Sequence, residues 1–366
     1  MSTRLPHRPR RLTATLTGAL AVSLTSVAMP SLAVAAPLAD PATAVDLDAP
    51  VQMRTFPITR GGETLYLGYC GNAPLESALP GVTDVVVVVH GDGRGACSYA
   101  TSVQRAARAA GRVTSTLVVA PHFAANGDPE GEEPSRLTWG TSGWKDGANS
   151  RVTPYPRPWR ISSFEAVDVL VDHLTRGDLL PDLTTLTVAG HSAGGQFVNR
   201  YLATTQRPAA STPRVERRWI VASPSSYLYL DERRINRGGR PGSLSGRERR
   251  DCPDYNTYKY GLAGRTGYAA AMTDDQIRAR VASTPVSYLV GSLDDDPANS
   301  SLDTSCAGLM QGPDRVRRAL NYQTHLASVL PRGSASHRLR IVPGVGHTAR
   351  GVFTSPEGVA ALFPTR

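Results

Sequence analysis

Gly190-His191-Ser192-Ala193-Gly194 sets a serine among small residues at a point where the chain changes character. An apolar, β-branched run over 185–189 leads into it, and Phe197, Val198, Tyr201 and Leu202 recur at helical spacing behind it. When a strand feeds directly into a helix, such a pentapeptide becomes a nucleophile elbow. The turn is strained, and the strain pushes the hydroxyl out over the sheet edge. Small residues at 190, 194 and 195 let the strand and helix backbones pass closely. The bland alternative is a Gly/Ser turn before a helix; the flanking strand and helix favour the nucleophile. A serine hydroxyl is a weak nucleophile at neutral pH. It needs a histidine to take its proton, and that histidine needs an acid to hold its tautomer.

This pattern resembles the α/β-hydrolase superfamily, and more narrowly its secreted bacterial serine esterases and polyester-depolymerase-like members, from about residue 62 to the end. The resemblance implies the chain order serine, acid, histidine, with the acid and the histidine at the ends of later strands. After Tyr288-Leu289-Val290 the turn Gly291-Ser292-Leu293-Asp294 matches the family's glycine followed three residues on by its aspartate. Asp295 and Asp296 adjoin it and remain alternatives. A calcium site built from these acids and Asp303 lacks regular ligand spacing. Near the carboxyl end, Pro343-Gly344-Val345-Gly346-His347-Thr348 follows an apolar run, so His347 resembles the general base. His191 lies within the elbow, where the family often has a histidine without a proton-transfer role, and His325 and His337 fall at unremarkable positions.

A tetrahedral oxyanion needs preorganised N–H donors. The valine run 85–89 ends in His90-Gly91-Asp92-Gly93-Arg94-Gly95, which looks like the family's His-Gly oxyanion loop. By that resemblance Ala193 supplies one donor and either Asp92 or Gly93 the other, with Asp92 standing where triple-glycine loops have glycine. No nucleotide-binding glycine motif is completed there.

The elements that must position these residues alternate. Strands are predicted over 63–69, 84–90, 115–120, 185–189, 218–222, 285–290 and 338–342, and helices over 99–110, 161–174, after 192, and 314–330. Alternation of this kind gives an α/β fold with a mostly parallel central sheet and helices on both faces. Two stretches lose periodicity, 123–160 and 227–275. The first holds Trp139, Trp144 and Trp159, read either as the lining of a substrate cleft or as plugs beneath a surface loop. The second is rich in tyrosine. One catalytic domain over 62–366 with two inserts accounts for the length better than two domains.

Residues 1–35 read as a signal peptide, with Arg4, Arg8, Arg10 and Arg11, an apolar stretch, and cleavage near Ala35. Pro30 and several hydroxyl residues argue against a membrane anchor, and the rest of a twin-arginine motif around Arg10-Arg11 is loose. Residues 36–61 read as a flexible mature terminus. Loss of the leader's four arginines takes the formal charge from +9 to +5. No basic run with interleaved aromatics is present, which argues against a nucleic-acid partner. Cys70, Cys97, Cys252 and Cys306 form an even set in an exported chain, so disulfides are expected. Three pairings are open. Cys70–Cys97 with Cys252–Cys306 is favoured because each pair falls within one half of the chain. Without a Cys-x-x-Cys pair, metal ligation has no support.

The expectation is a secreted, monomeric serine hydrolase that cleaves carboxylic esters, small or polymeric, through an acyl-enzyme on Ser192, Asp294 and His347, with no metal or organic cofactor. A peptidase or amidase using the same residues is the runner-up. A binding protein on the same scaffold without catalysis is the reading from a different class.

Overall fold

Five consecutive valines over 85–89 fix the centre of the molecule. Val85, Val87 and Val89 point to one face of the sheet and Val86 and Val88 to the other, and all five are buried. Removing each from water contributes about 2 kcal/mol, so this strand must be covered on both sides. In the computed structural model the described residues are 45–207, 214–330 and 332–364. The expected signal peptide, 1–35, lies outside them.

Eight strands form one sheet: β1 (Gln52–Arg60), β2 (Glu63–Gly71), β3 (Asp84–Val89), β4 (Thr116–His122), β5 (Thr185–His191), β6 (Glu216–Ala222), β9 (Val286–Gly291) and β10 (His337–Val342). Their order is β1-β2-β4-β3-β5-β6-β9-β10. The first two joints are antiparallel and the others parallel. The two missing numbers belong to a small separate hairpin, β7 (Arg234–Ile235) with β8 (Pro241–Gly242). Helices α2 (Ser163–Leu174), α3 (Ala193–Thr204), α5 (Asp274–Ser283) and α7 (Arg315–Val329) pack on one face. Helices α1 (Ala96–Ala109), α8 (Ala349–Thr354) and α9 (Pro356–Leu362) cover the other. Two short helices, α4 (Gly246–Asp251) and α6 (Cys306–Leu309), lie in connecting segments. Local signals start the long helices. Ser162 Oγ accepts the Phe164 N–H at the head of α2, and Asp314 accepts the Arg317 N–H at the head of α7.

The expected flexible terminus 36–61 is corrected over its described part. Residues 52–60 form β1, which pairs with β2 in full register and buries Phe56 and Ile58. Leu47 is also in the core, and its carbonyl accepts a hydrogen bond from Asn72. Gly61 and Gly62, both at positive φ, make the two-residue hairpin between the strands. Pro57 is tolerated because β1 is an edge strand.

The stretch 123–160 is not an open aromatic loop. Phe123 stacks on Trp144 with centroids 5.3 Å apart, lies against Phe197 of α3, and meets Trp139 edge-on. Trp139 and Trp144 have no exposed surface. Trp159 lies at the flank, donating from Nε1 to the Glu63 carbonyl with the Arg60 guanidinium over its ring. The second insert buries Tyr227 and Tyr229 against Tyr322 of α7.

The disulfides are Cys70–Cys97 and Cys252–Cys306. They close loops of 27 and 54 residues, worth about 3 to 4 kcal/mol each on chain-entropy grounds. Among the described residues no helix is long and apolar enough to cross a membrane.

Glycines set the tightest approaches. A methyl group on Gly190 would run into the Gly194 carbonyl, one on Gly194 into that of Val89, and one on Gly195 into that of Ala222. Gly194→Ala should therefore lower stability by about 2 kcal/mol, measured as a drop in the urea midpoint. An unchanged midpoint would contradict the backbone contact between α3 and β3.

Candidate active site

β5 ends at His191 and α3 begins at Ala193, which leaves Ser192 alone to turn the chain. Its backbone sits at φ 60° and ψ −121°, a region that costs a residue with a side chain about 1 to 3 kcal/mol. Its N–H donates to the Ala222 carbonyl of the neighbouring strand, 3.0 Å away. The glycine contacts described above hold the turn from both sides.

Two further turns leave the adjacent parallel strands β9 and β10, whose last residues Gly291 and Val342 lie opposite one another. The turns are bonded to each other. Ser292 N–H donates to the Val342 carbonyl (2.8 Å), Leu293 N–H to that of Val345 (2.9 Å), and Gly344 N–H to Ser292 Oγ (2.9 Å). A side chain at Gly291 would collide with the Val345 carbonyl. In this clasp His347 Nδ1 lies 2.8 Å from Asp294 Oδ2 and His347 Nε2 lies 2.9 Å from Ser192 Oγ. The three side chains thus form a continuous hydrogen-bonded row. Asp294 is buried, whereas Asp295 and Asp296 are exposed. Asp303 is turned to the hydroxyls of Tyr260 and Ser305, and among the described residues no group of three or more His, Cys, Asp or Glu converges as a metal site would require.

Burial alone would raise the Asp294 carboxyl. The hydrogen bond and charge of His347, with the charge of Arg315, outweigh it and hold the group below its ordinary value. Arg315 opens α7, and its Nη1 is 3.3 Å from Asp294 Oδ1. Nothing in the sequence marks it, since it precedes Arg317 and Arg318 in an ordinary amphipathic helix.

The loop after β3 faces the serine. Its Gly91 backs onto Ser192, with a Cβ placed there only 3.7 Å from that of Ser192. Arg94 N–H donates to the Gly91 carbonyl (3.0 Å), which makes Asp92 and Gly93 the middle of a turn. Neither of their N–H groups, nor that of Ala193 at the head of α3, has a protein partner among the described residues. The charged side chains of the turn are each paired with a neighbouring segment. Asp92 Oδ1 pairs with Lys145 Nζ at 3.0 Å, and Arg94 grips Asp128 through two bonds of 2.6 and 2.8 Å.

A cleft of about 520 Å³ holds Ser192 and His347 and is bounded by Gly91, Tyr99, Ser301 and Arg350. Trp139, Trp144 and Trp159 do not line it, so their cleft-lining reading is corrected: two are wholly buried and the third lies beside β2. A larger groove of about 570 Å³ beside Met272 and Arg280 contains no nucleophile–base pair.

Two buried histidines frame the row. His191 packs 4.7 Å from the His347 ring, with the Tyr99 hydroxyl 3.4 Å from its Nδ1. Burial, and then the charge His347 can carry, keep its pKa well below 6.5. His90 accepts the Phe123 N–H on Nε2, so its proton sits on Nδ1 and points to the Gly91 carbonyl. Burial pushes its pKa down to about 3.

Residues 86–362 match the family model described as the alpha/beta hydrolase family. No curated protein sequence matches the chain. Among solved structures, LpqC, a poly(3-hydroxybutyrate) depolymerase from Bordetella parapertussis, is similar with a TM-score of 0.55 and 22% identity, over 84% of this chain and 88% of that one. Poly(aspartic acid) hydrolase-1 from Sphingomonas sp. KT-1 is similar with a TM-score of 0.55 and 21% identity, over 82% and 94%. At these identities the likeness is one of fold.

Histidines held neutral by folding bind protons more readily once unfolded. Below the ordinary imidazole value of 6.5 the unfolded state therefore gains protons that folded His90 and His191 refuse, and stability falls with pH. Asp294, depressed on folding, adds a further loss at more acid pH. The urea midpoint should be level from pH 7 to 8 and decline steadily from about 6.5 downward. A midpoint constant to pH 5 would contradict neutral burial of the two rings.

Proposed function

The chain belongs to the α/β-hydrolase family, and on that footing we propose that it is a secreted serine hydrolase that cleaves carboxylic esters through an acyl-enzyme. The observation that carries the proposal is the row Ser192–His347–Asp294, with contacts of 2.9 and 2.8 Å between side chains from three separate strand ends. In this reading Ser192 Oγ gives its proton to His347 Nε2 as it attacks the ester carbonyl. Asp294 holds the Nδ1–H tautomer and stabilises the imidazolium that forms. The N–H of Ala193 receives the oxyanion at the positive end of α3. The second donor is the N–H of Asp92 or of Gly93, the two amides of the turn after β3 that have no protein partner among the described residues. His347 then protonates the leaving alcohol, and water, deprotonated by the same ring, releases the acid.

His191 supports this cycle by remaining neutral. A second imidazolium 4.7 Å away would oppose protonation of His347 in the transition state. Export after cleavage near Ala35 fits the two disulfides, which persist in oxidising compartments. Polymeric esters belong in the substrate set because one similar structure is a polyester depolymerase.

The test is hydrolysis of p-nitrophenyl esters from acetate to palmitate. Short acyl chains should be preferred, since Ser98, Ser102, Ser301 and Arg350 set polar groups along the cleft wall. Ser192→Ala should abolish turnover. Asp294→Asn, which favours the wrong tautomer of His347, should lower kcat by about 10⁴-fold. Undiminished activity in either variant would remove the proposed relay. Cleavage of poly(aspartate) or peptide amides with no ester turnover would replace the ester assignment by an amidase.

A further inference from the structure

Asp294 has two oxygens, and His347 uses only one. We propose that Arg315 is a positioning residue for the acid of the relay. It occupies Oδ1 so that Oδ2 stays on His347, and it keeps the buried carboxylate ionised. The proposal rests on the reading of Ser192, His347 and Asp294 given above.

The geometry separates Arg315 from an ordinary surface ion pair. The side chains of Arg315 and Asp294 are 1% and 3% exposed. Removing either partner of such a pair leaves an uncompensated charge in the interior. The guanidinium is itself anchored: Nη1 also donates to Asn299 Oδ1 (3.1 Å), and Nη2 donates to Ser301 Oγ (2.8 Å). These two residues close the segment that begins at Asp294, and Ser301 borders the cleft. One cation from α7 therefore holds the acid and the cleft rim in a fixed relation. Its contact with Asp294 is 3.3 Å, long for a charge-assisted hydrogen bond. Its influence is accordingly one of charge and orientation more than of bond strength.

The charge has a definite consequence. With Arg315 present, the Asp294–Arg315 pair is neutral while His347 is neutral, which limits the proton affinity of the His347–Asp294 dyad. Without Arg315 the dyad carries a net negative charge in a buried site and takes up its proton at higher pH. Other groups also face the dyad: neutral His191 from β5, Tyr99 from α1, and Arg350 from α8. Asp92 and Arg94 lie on the loop after β3, paired with Lys145 and Asp128. The remaining acids of the turn, Asp295 and Asp296, are exposed. All of these are unchanged when Arg315 is replaced, so the difference reports on Arg315.

The experiment compares wild type, Arg315→Met and Arg315→Lys. It measures kcat and KM on p-nitrophenyl butyrate across pH, the rate at which a fluorophosphonate probe labels Ser192, and circular dichroism. Arg315→Met should lower kcat by about 10²-fold with little change in KM, and should move the acidic limb of the profile up by about one pH unit. Arg315→Lys should return the limb to the wild-type position while recovering only part of kcat, because an ammonium cannot span Asp294, Asn299 and Ser301 together. A folded Arg315→Met with the wild-type pH profile overturns the proposal, since a purely structural role would alter stability alone. If Arg315→Met does not fold, the double variant Asn299→Ala, Ser301→Ala carries the test. It keeps the charge and releases the guanidinium, so kcat should fall with the limb unmoved, and an unchanged kcat overturns the proposal. Wild type that neither turns over esters nor labels at Ser192 defeats the underlying relay. Labelled wild type with unshifted variants defeats only the role of Arg315.

Discussion

The backbone of Ser192 at φ 60° is the constraint on which the site depends. One residue must reverse the chain between a strand that ends at His191 and a helix that begins at Ala193, and it must do so without room for neighbouring side chains. The strain is held by backbone, not by packing of bulky groups. Gly190, Gly194 and Gly195 bring α3 against the ends of β3 and β6, so closely that a side chain at any of the three would run into a backbone carbonyl. The same crowding places the serine hydroxyl above the sheet edge, where the turns after β9 and β10 can reach it. It also aims the head of α3, with its unpaired amides, at the position next to the serine.

Charge is the second organising quantity. The acid is buried, and burial by itself would raise its pKa. Two different partners prevent this, a histidine on one oxygen and a fixed arginine on the other. Meanwhile the imidazoles nearest the row, His191 and His90, are kept uncharged by burial. His347 differs from both in exposure: its side chain is 16% accessible and borders the cleft, while His90 and His191 are sealed in.

Much of this was legible in the sequence, for identifiable reasons. The β3 valine run, the elbow, and the glycine–aspartate and glycine–histidine turns are local patterns whose spacing follows from backbone geometry. They led to Ser192, Asp294 and His347, which the structure brings into contact. The two disulfides also follow the favoured pairing. β1 was missed because Pro57 and irregular alternation disguise a strand that is half exposed, although Gly61-Gly62 before a second alternating run was a hairpin signal. The tryptophans were ambiguous because buried and cleft-lining aromatics look alike in one dimension; only the burial of Trp139 and Trp144 and the stacking of Trp144 on Phe123 separate the two. Arg315 was invisible, since an arginine at the start of an amphipathic helix carries no local sign of a partner twenty-one residues earlier.

The aromatic inserts nevertheless bear on the chemistry, acting from behind the cleft. The first insert supplies Phe123, whose N–H fixes His90, and His90 in turn binds the Gly91 carbonyl at the base of the loop after β3. It supplies Lys145 for the Asp92 carboxylate and Asp128 for Arg94, drawing both side chains away from the turn that carries the two candidate amides. Trp144 packs on His90 and Phe123 and so stiffens the origin of all these contacts. An oxyanion site works by having its donors already oriented when charge develops. If the turn receives an oxyanion as proposed, an aspartate in its middle sets a negative charge near that site, and the ion pair of Asp92 with Lys145 at 3.0 Å offsets it.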